Sequence, residues 1–511
     1  MLIASAVPSL AAPPKDIDAF VGRAMKTFGP PGLSLAIVED GKTVLAKGYG
    51  VKRMGANDIA DEHTAFPIGS ESKAFTAASI AILVDEGKLK WSDRVVDKLP
   101  GFQMYDPYAT EHMTIKDLLT HRSGLGLGEG DLLIVPGTNR TRTDIVHALR
   151  YLKPKTGFRE VFAYDHILYI VAGSLIEAVS GQTWEDFVKS HIFVPLGMND
   201  SLTNFDPKAK NEISLHARTD GPMRGMGAER ILARGLEPHV SAPAGAINLS
   251  AVDMAKWMAM WVNGGKLPNG QRLLSEDSVK TLWDPVVVIS GSELKLPIPG
   301  VSPHLQDYAL GWFIEDYKGH PVVEHTGAVL GAVSALYILP EKHVAFAISI
   351  NSEDSGARRS VLYHLLDYYT GEKPTDWVEV LDKVRNDMIA NALVVLRKLP
   401  QPPTGGTGKT ALPLSAYAGK YMDPWYGQMT ISARGPDKLW ISFDRTPGME
   451  GALEPVSGNR FRTRWTDRGI EDAYLDFAVS GARPTGIAMK AISPLADFSF
   501  DYQDLHFTPA R

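Results

Sequence analysis

Between Phe66 and Ala78 the chain reads FPIGSESKAFTAA, with a serine hydroxyl at position 70 and a lysine amine at position 73. A serine hydroxyl is a poor nucleophile near neutral pH and needs a base within hydrogen-bond reach. Residues three apart on a helix share a face, so Lys73 can meet Ser70 if the segment turns helical here. The amine acts as a base only when partly neutral, a state favoured by burial among neighbours such as Phe66, Ile68, Ala74 and Phe75. The free N–H groups of a helix start would also favour a developing anion. The chemistry on offer is acyl transfer through Ser70. By itself S-x-x-K is a weak signal, and its commoner meaning is a capping serine followed by a solvated lysine.

The flanking elements must be able to hold such a pair. Lys73 to Glu86 carries Ala74, Ala77, Ala78, Ala81 and Ile82 at helical spacing and is stopped by Gly87. Gly32–Val38 and Thr43–Val51 read as strands joined by an Asp40-Gly41 hairpin turn. From roughly residue 114 to 270 helices dominate, Ile167–Ser180 and Ala251–Asn263 among them, and two more strands, Ser334–Leu339 and Val344–Ile350, flank the turn Pro340-Glu341-Lys342. Strands at both ends of a helical middle imply an α+β domain over residues 15–399 whose terminal strands share one sheet. Gly356–Leu399 reads as two further helices. The Pro- and Gly-rich stretch 400–412 is expected to be a linker, and 413–511, with short strand-like runs between turn clusters, a small β-barrel or sandwich domain.

The chain has 511 residues, 44% of them hydrophobic, and a formal net charge of −6, so it can bury a large core and carries no basic footprint for nucleic acid. No apolar run approaches membrane-spanning length. With no cysteine there is no disulfide, thiolate metal site or cysteine nucleophile. None of the 14 histidines falls in a metal-binding pattern such as H-E-x-x-H, and no metal or cofactor is expected. Gly408-Lys409-Thr410 matches the end of a phosphate-binding loop, but Pro403 stands at its first glycine position and no strand precedes it, which sets nucleotide binding aside. The start MLIASAVPSLAAPP, with Ser9-Leu10-Ala11 as a signal-peptidase-like site, reads as an export-signal stub over residues 1–14. A periplasmic or secreted location follows, with a disordered Ala/Pro-rich start of a cytoplasmic protein as the alternative.

FPIGSESKAFTAA followed by MTIKDLLTHRSGL (Met113–Leu125) resembles the serine β-lactamase and penicillin-binding-protein superfamily, in its class C-like branch of esterases and D-amino-acid peptidases. Tyr164-Asp165-His166 stands where that family has Tyr-x-Asn, PLGM (Pro195–Met198) and APAGAINLSAVDMAKWM (Ala242–Met258) agree in kind, and His325-Thr326-Gly327 stands where lactamases carry Lys-Thr-Gly. The resemblance covers about residues 15–370. It implies an antiparallel sheet flanked by helices, a helical subdomain, and an active site between them. Ser70 would be the nucleophile, Lys73 its proton acceptor and Tyr164 a second acid/base. The backbone N–H groups of Ser70 and Ala328 would form the oxyanion hole, and His166, His325, Thr326 and Gly327 would line the substrate site. His166 replaces an amide by a titratable ring, which either hydrogen-bonds substrate or Lys73 or merely fills the space. His325 replaces a fixed cation and disfavours a strong β-lactamase. Ser72, His121 and Trp312 read more simply as a helix-start hydroxyl, a turn residue and a core tryptophan. AYAGKYMDPWYGQMTI (Ala416–Ile431) resembles the lipocalin-like domain appended to some of these enzymes.

The expectation is therefore a serine hydrolase working through an acyl-enzyme, favouring peptide or amide bonds in small linear peptides, D-residues included, with linearised microcystin as one candidate. A family VIII-type carboxylesterase is the alternative, and a non-catalytic scaffold of the same fold the rival from another class. Its partner would be a small-molecule or short-peptide substrate, with self-association into a homo-oligomer left open.

Overall fold

The computed structural model describes residues 12–205, 211–221, 223–232, 239–289, 298, 300–398 and 408–510. The signal-like residues 1–11 and most of the proline-rich stretch, 399–407, lie outside the described residues. By compactness the chain divides into one unit of residues 1–86, 185–216 and 247–386 and another of 87–184, 217–246 and 387–511.

The first unit is built on an eight-stranded antiparallel sheet. Its spatial order is Lys42–Gly50, Gly32–Glu39, Val344–Ile350, Ala332–Leu339, His320–Val329, Phe313–Tyr317, Gln306–Tyr308, Val287–Val288. The two ends of the expected domain do share this sheet: Leu33 pairs with Ile350 and Glu39 with Val344. The hairpin closes at Asp40 (φ 46°) and Gly41 (φ 70°), the two left-handed positions that a tight two-residue turn demands.

Strand alternation divides the sheet into two faces. Leu33, Leu35, Ile37, Phe346, Ile348 and Ile350 point into a core completed by helices Ile17–Phe28 and Gly356–Thr370 and by Trp377, Val378 and Leu381. The intervening residues of the two central strands are small (Ser34, Ala36, Ala345, Ala347, Ser349), and helix Ala251–Val262 packs on these strands. Trp312, 1% exposed, lies in this unit's interior with its ring 5.1 Å from that of Trp261.

The second unit combines the helical segment 87–184 with an eight-stranded closed barrel running from Gly419–Asp423 to His506–Pro509. Closure comes from the last strand returning to the first, with Tyr421 opposite Pro509 and Met422 opposite Thr508. Period-2 alternation buries Met429, Ile431, Ile441, Phe443, Leu453, Phe461, Leu475, Phe477, Ile487 and Phe507, an apolar set that fits the narrow interior of an eight-stranded barrel. Helix Ile167–Ser180 has its first ten residues buried, starts with the Leu168 N–H on the Asp165 carboxyl (3.0 Å) and ends at Gly181 (φ 72°). The barrel and the helical segment are joined by polar contacts. Arg140 bonds the Tyr426 carbonyl and stacks on its ring at 4.6 Å, Arg445 reaches Asp144 at 2.7 Å, and Lys155 reaches Asp504 at 2.7 Å.

Candidate active site

In the first unit Phe66-Pro67 pairs with Asn248-Leu249, a 3₁₀ turn follows over Gly69–Glu71, and helix Ser72–Asp85 begins. Ser70 therefore sits one residue ahead of the helix proper. The Lys73 Nζ donates to Ser70 Oγ at 3.2 Å, with Ser70 9% exposed and Lys73 wholly buried. The expected pair is thus formed, and the lysine is not a solvated surface residue. Ser72 accepts the Ile247 N–H (3.1 Å) and donates to the Gly69 carbonyl (2.7 Å), a bracing role at the helix start.

Two glycines let this turn press against the His320–Val329 strand. A Cβ on Gly69, which has φ 52°, would fall 2.5 Å from the Ala328 nitrogen; one on Gly327 would fall 1.8 Å from the Ile68 carbonyl oxygen. Neither position tolerates a side chain without separating turn and strand. Ser334 on the next strand donates to the same Ile68 carbonyl (2.8 Å) and fastens the contact. The backbones of Ser70 and Ala328 are accordingly close neighbours, with Ala328 exposed and Thr326 half-buried.

His325 is 2% exposed and hydrogen-bonded at both ring nitrogens, Nδ1 to the Thr326 carbonyl at 2.6 Å and Nε2 to the Tyr308 hydroxyl at 3.2 Å. A carbonyl only accepts, so Nδ1 carries a proton.

Beside Ser70 lies a cluster that the sequence motifs do not announce. Glu71 is buried, and neither of its carboxyl oxygens accepts a hydrogen bond among the described residues. Burial pushes it up to about 8 against the pull of Ser334 and Arg358. Burial likewise raises Glu315 to about 7 and Glu324 well above the carboxylate range, while it lowers the Arg358 guanidinium to about 10. Arg358 acts on the two buried carboxyls, Glu71 and Glu324, and its charge opposes the rise that burial imposes on them. The signal for Glu71 was available in part: a lone acid inside an otherwise apolar and small-residue stretch.

Tyr164 and His166 belong to the second unit. The Tyr164 carbonyl accepts the Gly128 N–H (2.9 Å), and its ring lies 4.2 Å from that of His121 and 5.3 Å, edge-on, from that of His166. His121 is buried at φ 52° in the turn, with Nδ1 accepting the Asp165 N–H at 3.2 Å, the turn role its sequence context suggests. His166 Nδ1 lies 2.9 and 3.0 Å from the two carboxyl oxygens of the wholly buried Asp131. Sequence reasoning missed Asp131, which stands in the glycine-rich GLGEGD with no motif around it.

Among the described residues no group of three His, Cys, Asp or Glu side chains could hold a metal ion, and no helix is long and apolar enough to cross a membrane. A cavity of about 360 Å³ in the second unit, lined by Arg224, Arg462, Arg464, Arg468 and Tyr474 among others, contains none of the expected site residues. Three of its arginines are engaged by acids, Arg462 with Glu454 at 2.7 Å and Arg464 and Arg468 with Asp472 at 3.0 Å, and Arg224 donates to the Gly469 carbonyl at 2.8 Å.

An antiparallel sheet layered with helices, a serine and a buried lysine one turn apart, and a glycine-lined strand against the serine define a β-lactamase-like fold. Residues 17–369 match the family model described as Beta-lactamase, and the chain belongs to that family. Residues 405–509 match a domain of unknown function, DUF3471. Unguisins hydrolase ungD' of Aspergillus campestris (strain IBT 28561) is 28% identical over 476 residues, 89% of this chain and 85% of its own. Penicillin-binding protein 4 of Amycolatopsis lactamdurans is 27% identical over 322 residues, 63% of this chain and 81% of its own. The octameric penicillin-binding protein homologue from Pyrococcus abyssi shares the fold, with TM-score 0.60 and 21% identity over 96% of this chain and 99% of that one.

Proposed function

We propose that this protein is a serine hydrolase that works through an acyl-enzyme on Ser70 and prefers peptide or amide bonds. The observation that carries the reading is the Lys73 amine 3.2 Å from Ser70 Oγ in a buried setting. Lys73 in its neutral form takes the Ser70 proton as Oγ attacks the substrate carbonyl carbon. The N–H groups of Ser70 and Ala328 receive the resulting oxyanion. The proton passes to the leaving amine, by way of Lys73 or Tyr164, and the C–N bond breaks. Water then attacks the ester, giving up a proton to the same groups, and Ser70 is regenerated with release of the acid.

The preference for peptides is supported by relatives named for hydrolysis of unguisins, which match most of this chain's length. A histidine at 325, where a β-lactamase keeps a lysine, argues against a strong β-lactamase and does not separate a peptidase from an esterase. A carboxylesterase is the second reading.

The test pairs a fluorophosphonate active-serine probe with product analysis by mass spectrometry. The panel holds p-nitrophenyl esters and short linear peptides of L- and D-residues, with an unguisin and linearised microcystin included, and Ser70→Ala runs beside wild type. Peptide cleavage lost in the variant supports the proposal. Ester turnover with every peptide intact transfers it to the esterase reading, and wild-type protein that takes no label refutes the hydrolase in favour of a scaffold.

A further inference from the structure

The segment Phe498–Asp501, between the last two strands of the barrel, is bound to the loop that supports His166. Asp501 is almost wholly buried; its two carboxyl oxygens accept the Gly130 N–H at 2.8 Å and the Leu132 N–H at 3.0 Å. Ser499 donates to Asp131 Oδ2 at 2.8 Å. Phe498 lies parallel to the His166 ring, centroids 6.3 Å apart and planes within 7°, and a Cβ on Gly128 would stand 2.5 Å from Phe498 Cδ2. Every one of these contacts is made to residues 128–132 or to His166, and Asp131 holds His166 through both carboxyl oxygens. Burial, with the Asp131 carboxyl beside it, raises Asp501 well above the usual carboxylate range.

We propose that the C-terminal barrel positions the acid/base machinery, with Ser499 and Asp501 as positioning residues that fix Asp131 and, through it, the ring orientation of His166 beside Tyr164. The His166 Nδ1 faces both carboxyl oxygens of Asp131, so the hydrogen of that contact sits on Nδ1 and the ring is held in one orientation. The Ser499 hydroxyl takes up part of the remaining acceptor capacity of Asp131 and prevents the carboxyl from rotating away from the ring. This inference rests on the hydrolase reading above.

The experiment is a double-mutant cycle on the full chain, read as the second-order rate of fluorophosphonate labelling, with thermal midpoints measured alongside. Loss of one hydrogen bond to Asp131 is expected to slow labelling of Ser499→Ala by roughly five- to ten-fold. Ser499→Thr, which keeps the hydroxyl, is expected to restore the rate. In a His166→Asn background Ser499→Ala is expected to have no further effect, because the ring it orients is gone. An equal loss in both backgrounds, or a loss that Ser499→Thr fails to recover, overturns the inference while leaving Ser70 as the nucleophile. Absence of labelling in wild type overturns both.

Discussion

Glu71 follows the candidate nucleophile directly, and its carboxyl is the group whose protonation the fold most plainly controls. In the unfolded chain it releases its proton near the ordinary glutamate value of 4.5, whereas in the folded protein burial holds the proton to about 8. The folded state therefore binds more protons between these limits, and stability falls as pH rises through that window and levels off above it. The shift is about 3.5 pH units, and at 1.36 kcal/mol per unit it amounts to about 5 kcal/mol lost between pH 4.5 and 8. Relaxation around the carboxylate makes that a ceiling. Glu71→Gln keeps the shape and removes the titration. The variant is expected to match wild type within about 1 kcal/mol at pH 5 and to exceed it by several kcal/mol at pH 9. Urea unfolding followed by tryptophan fluorescence at intervals across this range measures the difference, and Glu315 and Glu324 remain in both proteins. Stability curves that stay parallel from pH 5 to 9 would refute the reasoning, because they would mean that Glu71 is ionised or hydrated in the folded chain.

Other outcomes follow from the same geometry. Lys73→Met is expected to slow active-serine labelling by about 10²–10⁴-fold without lowering the thermal midpoint, since a buried amine is replaced by an apolar chain; a midpoint collapse would show a structural role instead. Gly327→Ala places a Cβ 1.8 Å from the Ile68 oxygen, so it should abolish labelling of Ser70 and lower the midpoint, while Gly22→Ala, where a Cβ meets nothing within 4 Å, serves as the control. A chain ended before the barrel leaves the buried N–H groups of Gly130 and Leu132 without their Asp501 acceptor. Limited proteolysis of that chain is expected to cut first within 124–144, which intact protein protects.

The Ser70–Lys73 contact was legible because it is local: the two lie three residues apart on one turn, with the apolar neighbours that bury the amine also in the same short stretch. The sheet was legible for a related reason. The Asp40-Gly41 turn and the alternation of Gly32–Glu39 and Val344–Ile350 each carry their signal in fewer than ten residues, and burial of one face then pairs them. Asp131, Ser499 and Asp501 gave no such signal. Their contacts join positions some 370 apart in the chain, and a serine or an aspartate in a turn looks the same whether it faces water or a buried carboxyl. The barrel itself could be read from its alternating strands, but its union with the helical segment could not, because that union is made by scattered polar pairs such as Arg445–Asp144.

The two glycines and the acid cluster share one cause. The turn that carries Ser70 touches the strand that carries Ala328 backbone to backbone, the approach that the proposed pair of N–H donors would require. Gly69 and Gly327 make that approach possible, and it leaves no layer of side chains or water between turn and strand. Glu71 ends this turn and is carried into the interior with it. Burial favours its protonated form there, against the charge of Arg358, whose guanidinium bonds the Ser334 carbonyl on the neighbouring strand. An apolar residue at 71 would fill the volume and remove the pH dependence, and since neither Glu71 oxygen accepts a hydrogen bond among the described residues it would break none. Glu71→Leu should therefore be at least as stable as Glu71→Gln at pH 5; urea unfolding of the two variants at that pH tests this, and a less stable leucine variant would show that a polar group is required at this position.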